Sequence, residues 1–541
     1  MRVSTIAILT WATLTTGEIE NSIASHIPEE NTNLHLANVT NLTNASQQLI
    51  NHKLFYTTLV EKLPADKVGI LGTVEKNINQ YSQEINLLKQ NISQENNNQP
   101  QQVDRQNTET GKKLVRDIKI RFVDKNGKEI PHQTKINFIQ EELRLKSGQE
   151  FQADIWRSDL QRIRRLTSLE NVKTSVQDRG KNVDIIYEIQ ERRFPAFSFG
   201  GGNNEDVGIF ATFGYRDENI AGKNQQIKID TELSGKDINF KAKYTNPARA
   251  TFPDRLGYSI EAFRDRKLSD IFNKDINLQR GGRVREGRIG GGVAVLKAIS
   301  EEWQGSLGLN YTQVSIRDRD FNIGKRDIFG NPLSLSGKGI DDLYTISLGL
   351  TRDTRDRRIN PTKGSLFTLS TEQSIPIGVG EVSLNRLKAN YIKYLPVNFV
   401  GKVDAETNPE LAEMIAINLQ AGTILGDFPP AESFILGGLD SVRGYNTGDI
   451  SSSRSYILGS VEYRFPILQW LGGVAFTDFG SDLGTANNVL GKPAIIRDKP
   501  GSGFGYGVGV RVKSPIGIIR GDLGISDGGD IRFEIKTGQR F

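Results

Sequence analysis

The chain has 541 residues, enough for two domains or for one small domain and one large closed sheet. Its 69 basic and 64 acidic residues are scattered, leaving a formal charge of +5 without the compact basic blocks of a nucleic-acid footprint. Zero Cys removes disulfides, zinc-thiolate sites and a cysteine nucleophile, the four His (His26, His35, His52, His132) lack ligand spacing, and no run of 18 apolar residues offers a membrane-spanning helix.

In residues 1–16, Arg2 precedes a short apolar run, the pattern of a minimal secretory signal, although an A-x-A cleavage site is missing. Residues 17–112 are rich in Asn, Gln, Ser and Thr and read as a low-complexity linker with too little apolar surface to offset chain entropy. Within it Leu71, Val74, Ile78, Tyr81, Ile85, Leu88 and Ile92 follow three-and-four spacing, which predicts a short helix over 71–92, as a coiled-coil seam or an amphipathic helix.

Residues 113–192 change character. VRDIKIRFVD alternates, DKNG is a turn, and QTKINFIQEELRL and ADIWRSDLQRIRRL carry helical spacing through Ile155, Leu160, Ile163 and Leu166. NVKTSVQD and VDIIYEIQE then alternate on either side of Arg179 and Gly180, which predicts strand, helix, helix, strand, strand. This order, with RLKSGQEF before a helix and LENVKTSVQDRGKNVDIIYEI after it, resembles one POTRA domain, a small α+β module that binds polypeptides in the periplasm.

Residues 193–541 show no helical spacing but many stretches of about ten residues with period-two alternation, punctuated by Gly, Asn, Asp and Pro. In DLYTISLGLT, Tyr344, Ile346, Leu348 and Leu350 share one face and Thr345, Ser347, Gly349 and Thr351 the other. In GFGYGVGVRVK, Phe504, Tyr506, Val508, Val510 and Val512 oppose Gly505, Gly507, Gly509, Arg511 and Lys513. An apolar face opposite one carrying Arg and Lys fits lipid outside and water inside. At about 9 to 11 residues per strand, with connectors of similar length, the region suits an all-β transmembrane barrel of about 16 antiparallel strands.

Several stretches of this region, in this order, resemble the Omp85 superfamily, the D15 surface-antigen family. They are TRDTRDRRINPTKGSLFTLSTE at 351–372, VRGY at 442–445, GSVEYRFPI at 459–467, VAFTDFGSDLG at 474–484, GVGVRVKSPIGIIRGDLG at 507–524, and a terminal Phe. The resemblance implies that 437–449 is the tip of a long loop folded into the lumen, with Val442, Arg443, Gly444 and Tyr445 as its motif and Glu462 and Asp478 as wall partners of the arginine. Strand parity permits both partners, since Glu462 alternates with Ser460 and Arg464 against Ile457, Val461 and Tyr463, while Asp478 opposes Ala475, Thr477 and Phe479.

A barrel satisfies its backbone hydrogen bonds only while its first and last strands pair. The candidate first strand, RRFPAFSFGGG, contains Pro195, Gly200, Gly201 and Gly202, which weaken ladder pairing. The candidate last strand, DIRFEIKTGQRF, puts Ile531, Phe533, Ile535 and Phe541 on one parity, with Gly538 near its end. The resemblance together with this openable seam implies an outer-membrane protein assembly factor. Unfolded outer-membrane proteins would be its substrates, outer-membrane lipid its surroundings, and periplasmic chaperones or accessory subunits its further partners. The alternatives are a two-partner secretion transporter and a passive porin. No cofactor, metal or catalytic residue is assigned, because H-E-x-x-H and any barrel histidine are missing. The implied location is the outer membrane of a Gram-negative-type bacterium, ahead of a plastid outer envelope, with the POTRA in the periplasm.

Overall fold

A computed structural model describes residues 113–204, 208–234, 238–273, 276–400, 411–514 and 517–541. The expected signal at 1–16, linker at 17–112 and helix at 71–92 lie outside the described residues.

The chain first builds a small α+β unit from β1 (Leu114–Phe122), α1 (Ile136–Glu142), α2 (Ala153–Arg164), β2 (Leu169–Arg179) and β3 (Asn182–Glu191). The sheet order is β1-β3-β2, with β3 parallel to β1 and antiparallel to β2. Because β3 is central, its alternate residues Val183, Ile185, Tyr187 and Ile189 are buried, and they pack with Ile139 of α1 and Ile163 of α2. Asp159 of α2 is buried as well, and its carboxylate accepts the backbone N–H groups of Arg144 and Leu145 at 3.0 Å, fixing the connection between the helices.

Sixteen further strands form one antiparallel sheet that curls into a barrel. They are β4 (Ala196–Asn204), β5 (Gly208–Ile220), β6 (Gln225–Ser234), β7 (Ile238–Asn246), β8 (Gly257–Leu268), β9 (Arg285–Ala298), β10 (Trp303–Arg317), β11 (Ile340–Asp353), β12 (Gly364–Ile375), β13 (Ser383–Pro396), β14 (Met414–Asp427), β17 (Ser455–Leu468), β18 (Leu471–Ser481), β19 (Ser502–Ser514), β20 (Gly517–Ser526) and β21 (Ile531–Thr537). The short β15 (Phe434–Leu436) and β16 (Ser451–Ser453) pair with each other in the connection between β14 and β17. Sidedness follows the period of two: on β19 Phe504, Tyr506, Val508 and Val510 face out while Gly505 and Arg511 are buried inside. On β17 Ile457 and Val461 face out while Ser460, Glu462 and Arg464 are buried. An apolar exterior around a charged interior suits lipid outside the wall.

The two ends of the barrel differ. At one end the long connections share an apolar core that includes Phe272, Leu278, Val314, Leu333, Leu384 and Phe428. There Arg497 donates to the Asn273 carbonyl at 2.8 Å and Lys499 to the Ile271 carbonyl at 3.2 Å, tying the β18–β19 connection to the β8–β9 connection. At the other end the short turns meet the small unit: Asn219 donates to Glu191 at 2.9 Å, Arg249 to Glu142 at 2.6 Å, and Arg162 to Glu301 at 2.5 Å.

The sheet ends at β4 and β21. Among the described residues β4 is hydrogen-bonded to β5 and β21 to β20, and the two ends do not pair with each other. Two seam expectations are corrected. Pro195 precedes β4, which starts at Ala196, so its missing N–H removes no ladder bond. Phe541 does not continue the outward parity of Ile531, Phe533 and Ile535: β21 ends at Thr537, Gly538 adopts a φ of +83°, and the chain leaves the sheet. Gly200, Gly201 and Gly202 do lie within β4, opposite Thr212, Ala211 and Phe210 of β5.

Two outcomes follow. Leu348, outward-facing on β11, replaced by Arg should lower stability by ~2–4 kcal/mol in refolding into lipid vesicles, whereas Ser347→Lys on the inner face should change it little. Burial pushes the Glu301 carboxyl up, but the hydrogen bond and charge of Arg162, with Arg144 also at 2.5 Å, hold it below the ordinary carboxylate range. A carboxylate with a lowered pKa stabilises its contact above the unfolded value and loses that contribution as pH falls through the folded value. Cross-linking between the small unit and the β9–β10 turn should therefore be unchanged from pH 8 to 5 and fall at more acidic pH, and Glu301→Gln should flatten the profile.

Candidate functional site: an arginine clasped inside the barrel

After β14 the chain turns inward instead of crossing directly to β17. The β15–β16 ribbon carries the tip, and Gly438 and Val442 close a turn through a 3.1 Å backbone hydrogen bond. Val442 is buried beside Leu436, Ile450 and Leu458, an apolar anchor that aims the next residue at the wall. Gly444 has a φ of +95°, a conformation open to glycine at little steric cost, and it lies against the backbone of Ile525 and Ser526. Tyr445 packs its ring in the same apolar group and donates its hydroxyl to Asp527.

The wall is shaped to receive this backbone. A Cβ on Gly505 of β19 would stand 2.0 Å from the Arg443 carbonyl oxygen, so the inward position must lack a side chain. The glycine alternation of GFGYGVGV thus leaves a trough along which the loop lies.

Arg443 is 2% exposed. Its Nε and Nη2 donate to the two oxygens of Asp478 at 2.7 and 2.9 Å, and its Nη1 donates to Glu462 at 2.7 Å. Its backbone N–H also donates to Asp478, at 3.2 Å. Asp522 of β20 adds a third carboxylate 3.6 Å from Nη1. The guanidinium lies 3.4 Å from the ring centroid of Phe476, whose face supplies a further electrostatic attraction. Three more cations complete the group, Arg511 among them donating to Asp522 at 2.6 Å. Arg464 donates to Glu462 at 2.9 Å, and Arg540 donates to Asp478 at 2.7 Å and to the Ser441 carbonyl. Planar bidentate pairing of this kind suits arginine and not lysine.

The structure therefore brings Val442, Arg443, Gly444 and Tyr445 together with Glu462 and Asp478. The seam residues stand apart from this group except at the chain end. Gly538 donates its N–H to the Ile518 carbonyl at 2.7 Å, and Phe541 packs on Tyr394, Met414 and Ala416 inside the wall, its carbonyl accepting from Arg464 at 3.1 Å. Sequence reasoning missed Phe476, Asp522, Arg464, Arg511 and Arg540 as members of the cluster. Strand parity carried a signal for four of them: Phe476 shares the face of Asp478, Arg464 that of Glu462, Arg511 that of Gly505, and Asp522 alternates with outward Leu523. Arg540 follows the last strand, where parity no longer applies.

The family model described as the Omp85 superfamily domain matches residues 219–541. The chain belongs to the Omp85 superfamily. This Omp85 chain is 30% identical over 439 residues to outer envelope protein 80, chloroplastic, of Arabidopsis thaliana, covering 79% of this chain and 57% of that protein. It is 25% identical over 460 residues to Protein TOC75, chloroplastic, of Oryza sativa subsp. japonica, covering 78% and 55%. The chain thus spans little more than half the length of these relatives. Among solved structures, BamA from Haemophilus ducreyi lacking POTRA domains 1-3 aligns at a TM-score of 0.46 and 16% identity, covering 78% of this chain and 84% of that one.

Arg443→Ala breaks the buried pairs with Glu462 and Asp478 and should destabilise the barrel by ~3–5 kcal/mol, read as a lower denaturant midpoint in lipid. Arg443→Lys should recover less than half of this, because a point charge cannot hold Asp478 through two parallel bonds.

Proposed function

We propose that this Omp85 chain is an assembly factor for outer-membrane β-barrel proteins and acts by templating strands at its seam, without a covalent catalytic step. The observation that carries the reading is the sheet end: β4 and β21 each keep one hydrogen-bonded neighbour among the described residues, and β21 is only seven residues long. A short edge with unpaired N–H and C=O groups is a template for an incoming strand. Gly200, Gly201 and Gly202 in β4 lower the cost of opening that edge. The small unit at 113–192 supports the reading with a three-stranded sheet whose β2 lies at an edge, the place for an unfolded client chain to add. We read it as one POTRA domain, facing the periplasm, with chaperones or accessory subunits delivering clients to it.

The runner-up is secretion of a polypeptide through the lumen, which the inward loop favours because a channel needs a plug. For location we keep the outer membrane of a Gram-negative-type bacterium. The plastid outer envelope is the second reading, favoured by the chloroplastic relatives, and fractionation of the source cell separates the two.

The cysteine-free chain allows a clean test. A disulfide placed between β4 and β21 should abolish insertion of a client barrel into vesicles, and reduction should restore it. Full activity of the oxidised, locked barrel would reject seam templating, and retained polypeptide passage in that state would favour secretion.

A further inference from the structure

The inward loop carries a second buried charge that the Arg443 cluster does not use. Immediately after β14 the segment Pro430–Glu432 forms one tight turn, with Pro430 starting it and Glu432 ending it. The Glu432 side chain is 7% exposed, and its carboxylate lies between two walls: Arg288 of β9 donates to one oxygen at 2.6 Å and Arg386 of β13 donates to the other. Arg288 also donates to the Ala431 carbonyl at 2.6 Å, so the backbone of the turn is held with the side chain. Three strands separate β9 from β13 in the sheet, and Glu432 spans them from inside.

The wall arginines are themselves oriented. Arg386 donates to Glu372 of β12 at 2.8 Å, and Arg288 lies 3.4 Å from Glu286, which accepts the Ser269 hydroxyl. Burial pushes the Glu432 carboxyl up, but Arg288 and Arg386 outweigh it and hold it at about 2. A cavity of about 390 Å³ adjoins the contact, lined by Lys267, Asp270, Lys388 and Phe434 among others, so the turn has room to leave its place.

The polarity is the reverse of the Arg443 clasp: here the loop supplies the anion and the wall the cations. The walls differ too: Arg288 and Arg386 lie on β9 and β13, whereas Glu462 and Asp478 lie on the paired strands β17 and β18.

We propose that Glu432 is a second positioning residue of the lumenal loop, a brace of opposite polarity that must release along with the Arg443 seat before the lumen opens. The inference rests on the assembly reading only in supposing that loop position matters to function. The brace itself is read from conductance. Two fasteners of opposite sign cannot exchange partners, because a loop that slides brings Glu432 towards carboxylates and Arg443 towards arginines.

The test is single-channel recording of the full chain in planar bilayers, with folding scored separately by heat-modifiable mobility. Glu432→Gln, which keeps the shape and removes the charge, should raise the frequency of large openings at least tenfold with Arg443 intact, and Arg386→Gln should do the same. Glu432→Asp should restore a mostly closed lumen. Wild-type conductance in a folded Glu432→Gln barrel overturns the proposal. So does a Glu432→Asp variant as leaky as Glu432→Gln, which would make shape and not charge the determinant. Failure of both neutral variants to fold also overturns it, making the contact a requirement of the barrel itself. Raised conductance with unimpaired client insertion supports the brace and counts against the assembly reading instead.

Discussion

A guanidinium inside a narrow barrel has lost most of its water, and the free energy of that loss must be matched by fixed anions. Arg443 meets this with Glu462 and Asp478 in hydrogen-bonding contact and Asp522 close by. Arg464, Arg540 and Arg511 pair in turn with the same three carboxylates. The cluster is therefore a lattice of charges in which every member is held by at least one other. The course of the 428–454 connection follows from it, since the tip can rest only where its cation is neutralised.

The wall makes the seat accessible through what it omits. Glycine faces inward beside the loop backbone at Gly505, and the aromatic ring inside is Phe476, stacked under the arginine instead of blocking it. The chain end joins the same lattice. Beyond Gly538 the last residues turn inward, and Arg540 places a second cation on Asp478 while holding the Ser441 carbonyl of the loop. The loop tip and the residues after the last strand thus share an acceptor, a physical link between the lumen and the sheet end where the wall is unpaired.

Much of this architecture is legible in the sequence because a membrane strand advertises its two solvents. DLYTISLGLT and GFGYGVGVRVK separate lipid-facing from lumen-facing residues by parity alone, and the same parity puts Glu462 inside. The small α+β unit is legible from its change of period. Partners across the lumen are not: alternation reports which face a residue occupies, never which residue of a distant strand it meets. Glu432 illustrates this, sitting in a Pro-rich turn with no period and finding Arg288 and Arg386 only because the sheet curls round it. Pro195 and Phe541 were misplaced for a related reason, since strand ends are set by where pairing stops and alternating residues can continue past that point.

Backbone hydrogen exchange of the folded full chain in lipid measures the seating of the loop most directly, because an amide exchanges only when its region opens. Residues 441–445 should exchange as slowly as the neighbouring strands β17 and β18 and become fast in Arg443→Ala while those strands stay protected. Exchange of 441–445 in the unaltered protein at the rate of a solvent-exposed loop would contradict a buried, clasped arginine.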